Sequence, residues 1–443
     1  MQLLLCLSAA LFAGLMLSRV AKICKLPAVT AYLVAGILIG PYLLGRLGVP
    51  GLGFRTAEEV HALSLFSDVA LGFIAFSIGN EFRLSQIKQI GKQATVVGIF
   101  QAVVATLLVD GALIGLHFAF PEILPLPAAI ILGAVASATA PAATLMVVKQ
   151  YKAKGPVTDM LLPVVALDDA VGLVLFSVSF GIAKALASGQ AISVLTVVVE
   201  PLLEVVLSIA LGAVMGILFN FCERFFHSRS KRLAMSVTFV LVTVAFSMLE
   251  FHIGTVHVAF SSLLACMMLG TVFCNICDFS EELMDRIDRW TAPLLILFFV
   301  ISGAELELSV FTNLTVVAIG IVYILVRSLG KISGSFISSK ATNCNPKIVK
   351  YLGITLLPQA GVALGMALKT KQALVGSPEN LAAAQVVVNI TLFAVLVYEL
   401  VGPLLTKIAL TKAGEITPEE ATSARQPHVR KHRHDHHPDT KNG

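Results

Sequence analysis

Two adjacent carboxylates, Asp168 and Asp169, stand in the apolar run LLPVVALDDAVGLVLF. Successive residues on a helix point about 100° apart, so one carboxylate can face an aqueous cavity while the other faces a neighbouring helix. Like charges this close cannot both ionise cheaply in a low-dielectric surrounding. A carboxylate so placed holds either a proton or a small hard cation, and the competition between the two is an exchange chemistry. A structural pair satisfied by hydroxyls is the plain alternative, but burying two acids side by side is costly for packing alone.

The basic residues inside an apolar run are Arg327 and Lys331 in VAIGIVYILVRSLGKISGSF, four apart on one helical face. Lys331 either snorkels toward the nearer membrane face or pairs with one of the two aspartates and leaves the other free to bind an ion. Arg327 cannot lose its proton and is assigned a structural or helix-end role. Two further segments, VASATAPAATL and LLPQAGVALGM, put Pro, Gly, Thr or Gln in mid-run. Pro141 and Pro358 remove backbone hydrogen bonds where lipid cannot replace them, which predicts locally unwound helices supported by Gln359 and Gly361. Thr139 adds a candidate oxygen ligand. A simple kink without ligands is the alternative for each segment.

Other groups are weaker candidates. Asp110 in LLVDGALIG has no partner visible in the sequence; Glu200 and Glu204 flank Pro201 near a run's end, and Glu81 and Glu305 cap equivalent run ends. Cys274 and Cys277 form a lone C-x-x-C without a second pair, read as a helix end. The tail HVRKHRHDHH from His428 carries metal-binding residue types, but charged low-complexity tails are usually solvated.

The elements that must position these residues follow from composition. The 443-residue chain is 57% apolar and 13% charged, against roughly 45–50% and about 25% in soluble domains, so a soluble enzyme is excluded. Apolar runs lie at about 2–19, 27–45, 64–80, 93–118, 126–148, 157–187, 191–220, 233–250, 255–273, 290–304, 313–337, 351–368 and 380–405. At roughly 20 residues per span these are thirteen transmembrane helices; the runs are too long and continuous for barrel strands. Arg19, Lys22 and Lys25 follow the first run instead of preceding it, so that run reads as a retained helix with its N-terminus outside. On that orientation 25 Lys and Arg fall on the cytoplasmic side against 5 outside, a strong positive-inside bias that puts the C-terminus in the cytoplasm. The net charge of +5 then reflects topology and gives no reason to expect nucleic-acid binding.

An internal repeat organises the runs. LGFIAFSIGNEFRLS from Leu71 matches LILFFVISGAELELS from Leu295, aligning Gly79 with Gly303. LVAGILIG from Leu33 matches LLACMMLG from Leu263, and ILGAVASATAPAATLMVV from Ile131 matches YLGITLLPQAGVALGMAL from Tyr351. Seven spans separate each segment from its counterpart, so the second copy enters the membrane from the opposite side. Inverted repeats of this kind belong to alternating-access transporters. The reading is an all-α polytopic membrane protein with a membrane unit over 1–410, repeat A about 27–188, repeat B about 255–405, and a disordered His- and charge-rich tail over 411–443.

The segments PAVTAYLVAGILIGP, TAPAATL, LDDA, FFVISGAELELS, RSLGK and LLPQAGVALG together resemble the monovalent cation/proton antiporters of the second cation/proton antiporter class, from Met1 to about Lys407. The resemblance implies crossed broken helices, a core domain that moves by an elevator motion, and a panel domain that makes a homodimer. It implies Asp169 as the cation- and proton-binding carboxylate, Asp168 as partner of a buried lysine, and Lys331 as that lysine. A double Asp resembles the electrogenic Na+/H+ members; K+/H+ exchange is the close rival. The potassium-efflux members carry a nucleotide-binding regulatory domain, and no G-x-G-x-x-G unit is present to suggest one here. Expected partners are Na+ or K+, H+ and the bilayer of a bacterial-type inner membrane, with no cofactor and no enzymatic activity. A cation channel is less favoured, and a membrane hydrolase lacks H-E-x-x-H and G-x-S-x-G.

Overall fold

The computed structural model describes residues 2–24, 26–49, 52–80, 82, 84–188, 199–226, 228–249, 251–253, 256–277, 280–306, 312–374 and 378–416. The first half of the chain forms α1 (Gln2–Ile23), α2 (Ala28–Ile39), α3 (Ala57–His61), α4 (Ser64–Asn80), α5 (Leu84–Ala119), α6 (Leu126–Val135), α7 (Pro141–Gln150) and α8 (Pro156–Ser188). The second forms α9 (Glu200–Glu223), α10 (Arg229–Ser247), α11 (Ser262–Ile276), α12 (Ser280–Glu305), α13 (Leu314–Ala341), α14 (Pro346–Thr355), α15 (Gly361–Ala373) and α16 (Pro378–Ala413). Among the described residues one short antiparallel ribbon, Phe251–Ile253 with Val256–Val258, interrupts the run of helices.

Among the described residues nine helices are long and apolar enough to cross a membrane, and α4, α6 and α11 are shorter apolar helices. Helices close all their backbone hydrogen bonds internally, which hydrocarbon demands. Large apolar side chains such as Leu107 on α5, Val206 on α9 and Leu325 on α13 stand exposed on outward faces, as expected where the solvent is lipid.

The repeated segments exchange partners. Helix α2 packs on α12 and α4 on α11, while α5 and α13 lie against each other between the two broken segments. Close approach is set at equivalent positions of the repeat: a Cβ on Gly79 would strike the Met267 carbonyl, and one on Gly303 the Leu33 carbonyl. Without lipid-excluded hydrophobic drive between helices, such small-residue contacts are what hold them together.

Some boundaries differ from expectation. The run at 255–273 becomes helical only at Ser262, because Val256–Val258 pairs in the ribbon and Ser261 caps α11 through Leu264 N at 3.4 Å. Helix α12 starts at Ser280, ten residues before the apolar run, since the polar turns of DRIDRW remain amphipathic. The first part of the run at 191–220, Glu81, and the tail from 417 onward, including the His-rich stretch, lie outside the described residues. The described part of the expected disordered segment, residues 411–416, is ordered instead. There α16 runs through Ala413, and the buried Glu415 carboxylate accepts Val157 N at 2.7 Å, Thr158 N at 2.8 Å and Thr158 Oγ1 at 2.7 Å. This carboxylate satisfies amides that the first turn of α8 leaves open.

Candidate functional site

Both Pro-containing segments are broken helices. Between α6 and α7 the residues Ala136–Ala140 leave the helix, with Pro141 at the first helical position of α7. Between α14 and α15 the residues Leu356–Ala360 do the same, carrying Pro358 and Gln359, and Gly361 opens α15. The two stretches cross: Ala140 N donates to the Pro358 carbonyl at 2.8 Å. Pro141, at the start of α7, gives up no bond that helix needs, while Pro358 lies within the second break.

A break leaves carbonyl oxygens without helical partners, and side chains must supply them. Arg327, in the middle of α13, supplies three of them. Its Nε donates to Ala136 O at 2.9 Å, Nη2 to Ala138 O at 2.5 Å and Nη1 to Leu357 O at 2.8 Å, so one guanidinium ties both stretches. Its Cζ also lies 4.5 Å from the centre of the Tyr398 ring. Gln359 Nε2 adds bonds to Val135 O at 2.8 Å and to Tyr323 Oη at 3.0 Å. Of the structural or helix-end role expected for Arg327, the structural alternative is the one found: it is a fully buried clamp.

One turn on, Lys331 is fully buried as well, which removes the snorkelling alternative. Its Nζ donates to Ser137 O at 2.5 Å, to Thr139 Oγ1 at 3.0 Å and to Asp168 Oδ2 at 2.9 Å. Asp168 is closed off on its other sides. Thr139 Oγ1 donates to Oδ2 at 2.5 Å, and Gln101 Nε2, from α5, donates to Oδ1. The Thr139 hydroxyl thus serves Asp168 and Lys331 directly.

Asp169 is arranged differently. The next residue of α8 turns about 100° away and is partly exposed, and its buried Oδ1 has no hydrogen-bond partner among the described residues. One carboxylate of the pair is neutralised and sealed; its neighbour keeps an open oxygen. Among the described residues no group of three or more His, Cys, Asp or Glu is placed to hold a metal ion.

Gln101 was not identified from the sequence. A lone glutamine in an apolar run was its only signal. Asp110 is placed away from this constellation, its side chain against Gly133 on α6 with Oδ1 unpartnered among the described residues. Cys274 Sγ contacts the Gly79 and Phe82 carbonyls at 3.7 and 3.6 Å, where α11 meets the end of α4.

Comparison with known proteins decides the family. The family model described as sodium/hydrogen exchanger, transmembrane, matches residues 7–412. The chain belongs to the sodium/hydrogen exchanger family. It is similar to the K(+)/H(+) antiporter subunit KhtU of Bacillus subtilis (strain 168), with 23% identity over 349 residues covering 77% of this chain and 79% of that protein. Its fold is similar to the sodium proton antiporter MjNhaP1 from Methanocaldococcus jannaschii. The structure of that protein at pH 8 gives a TM-score of 0.63 at 19% identity, covering 93% of this chain and 99% of the other. A second structure, from an electron-microscopy map, gives 0.71 at 16% identity, covering 93% and 98%. As a member of the exchanger family the protein is a multi-pass membrane antiporter of monovalent cations and protons.

Proposed function

We propose that the protein exchanges Na+ for H+ by alternating access, with cation and proton taking turns on Asp169. The observation that carries this reading is the division of labour within the pair. Asp168 is held by Lys331, Thr139 and Gln101, while Asp169 presents a buried, unpartnered oxygen. A carboxylate oxygen with no protein donor is a ligand for a hard cation or a seat for a proton. The crossed breaks add a rigid frame of backbone carbonyls beside it.

Further parts of the reading are a moving core built from the helices around the crossing, a panel that makes a homodimer, and net charge movement from the double-Asp site. The N-terminus would lie outside and the C-terminus in the cytoplasm of a bacterial-type inner membrane, in keeping with the 25 to 5 distribution of Lys and Arg. K+/H+ exchange is the second reading, favoured by the likeness to KhtU. Cavity size and dehydration choose between the two ions.

The test uses the full chain in proteoliposomes with an imposed pH gradient, Li+, Na+ and K+ added in turn, and a potential-sensitive dye as a second readout. Cation-dependent proton movement that disappears in Asp169→Asn is the expected result. Undiminished exchange in that variant would remove the mechanism, and a response to K+ alone would select the second reading.

A further inference from the structure

Helix α7 runs from the crossing to one membrane face, and its end is fastened there to three other helices. Lys149 Nζ donates to Asp288 Oδ1 on α12 at 2.6 Å and to Ser77 Oγ on α4. Ser77 Oγ donates to the same Asp288 oxygen at 3.3 Å, closing a triangle. Beside it, Ala28 N at the start of α2 donates to Gln150 Oε1 at 2.8 Å, and Tyr151 Oη donates to the Leu26 carbonyl at 3.4 Å. Lys149 follows Pro141 by eight residues, so the fastening stands about 12 Å along α7 from the break. It lies at a basic joint, with Lys152 and Lys154 next in the chain.

Behind the fastening the contact is apolar. Ala142 and Leu145 of α7 and Leu162 and Ala166 of α8 share one buried cluster with apolar residues of α2, α4 and α12. Helices α2 and α4 both pack on α12, so these three make the far wall of a seam whose near wall is α7 and α8. Leu162, Ala166 and Asp169 are spaced four and three apart, which puts them on one face of α8. The stripe that lines the seam therefore leads to Asp169. Apolar contacts between packed helices are remade when the helices slide, whereas a charge-assisted hydrogen bond is lost outright. The polar end of α7 is the part of the seam that resists sliding.

We infer that Lys149, Ser77 and Asp288 form a latch that closes the seam at the face of the basic joints and is released each time Asp169 opens to that face. While it is fastened, α7 stays against α4 and α12 and the stripe leading to Asp169 stays covered. Lys149 and Asp288 are positioning residues: they act on the conformational step and leave the ion to Asp169. This inference rests on the alternating-access reading above and adds to it the element that sets which face is open.

The experiment measures the cation concentration giving half-maximal exchange, with full-length chain in right-side-out and in everted membrane vesicles, so that Na+ or K+ is presented to one face at a time. In Lys149→Gln and in Asp288→Asn it should fall by roughly two- to fivefold at the face of the basic joints, the population shift that one half-exposed ion pair supplies. At the opposite face it should rise. A purely structural defect would not move the two faces in opposite directions. The double variant should shift no further than either single one, since each already breaks the same bond. Gln150→Ala, at an exposed position, should act in the same direction and serves as the test if the other variants do not accumulate. No shift, shifts of one sign at both faces, or additive effects in the double variant overturn the latch. Asp169→Asn run alongside separates the two ideas: persistent exchange in that variant would strike the antiport mechanism, whatever Lys149 does.

Discussion

Lys331 Nζ and Asp168 Oδ2 lie 2.9 Å apart, with both side chains wholly buried. The pair is joined by Thr139, which contacts both partners, and by the Ser137 carbonyl on the lysine side. Burying two ions costs heavily in desolvation, and only their mutual attraction and these extra bonds offset it. Taking away one ion therefore does more harm than taking away both.

Lys331→Ala is expected to destabilise the folded protein by about 3–5 kcal/mol, because Asp168 stays buried with its partner gone. The double variant Lys331→Ala with Asp168→Asn should recover a large part of that loss. Thermal unfolding in detergent, followed by tryptophan-independent thiol or aggregation readouts, reports both. Equal destabilisation in the single and double variants would show that the pair is not the source.

Arg327→Lys keeps the charge and loses the fork. Three carbonyls, Ala136, Ala138 and Leu357, share one guanidinium, and an ammonium on a shorter stem cannot reach both stretches in that geometry. A stability loss of about 3 kcal/mol is expected, from one or two charged hydrogen bonds, together with a fall in exchange rate as the crossing loosens. A variant with wild-type melting temperature and rate would rule out the clamp.

Competition on one carboxylate fixes the sign of the pH dependence. Raising the pH removes the proton that occupies Asp169, so the half-saturating cation concentration should fall, by up to roughly tenfold per pH unit for one displaced proton. It should level off once the carboxylate is free. Exchange assays across a pH series at several cation concentrations give the slope, and a half-saturating concentration independent of pH throughout would contradict shared occupancy.

The legibility of these features in the sequence was uneven, and the physics explains why. Asp168, Asp169 and Lys331 stand out because charges are expensive in an apolar run. Pro141 and Pro358 announce the breaks because proline deletes a bond that lipid cannot replace. The clamp made by Arg327 was hidden, since its partners are main-chain carbonyls, which leave no trace in residue identity. Gln101 was hidden because an uncharged amide is tolerated in a span for many reasons. The onset of α11 was misplaced because Val256 and Val258 are as apolar as the helix that follows. The ordered start of the tail depends on Glu415 reaching α8, a contact between positions more than 250 residues apart, and no local pattern encodes it.

The bond from Ala140 N to the Pro358 carbonyl joins the two halves of the chain at the point where each is interrupted. Neither half owns a finished interruption: the amide of one and the oxygen of the other are both left bare if they are separated. A polypeptide of half this length would therefore complete such a junction only by meeting a second copy threaded through the bilayer the other way up. Fusing the two copies in one gene fixes that opposed pairing at one to one.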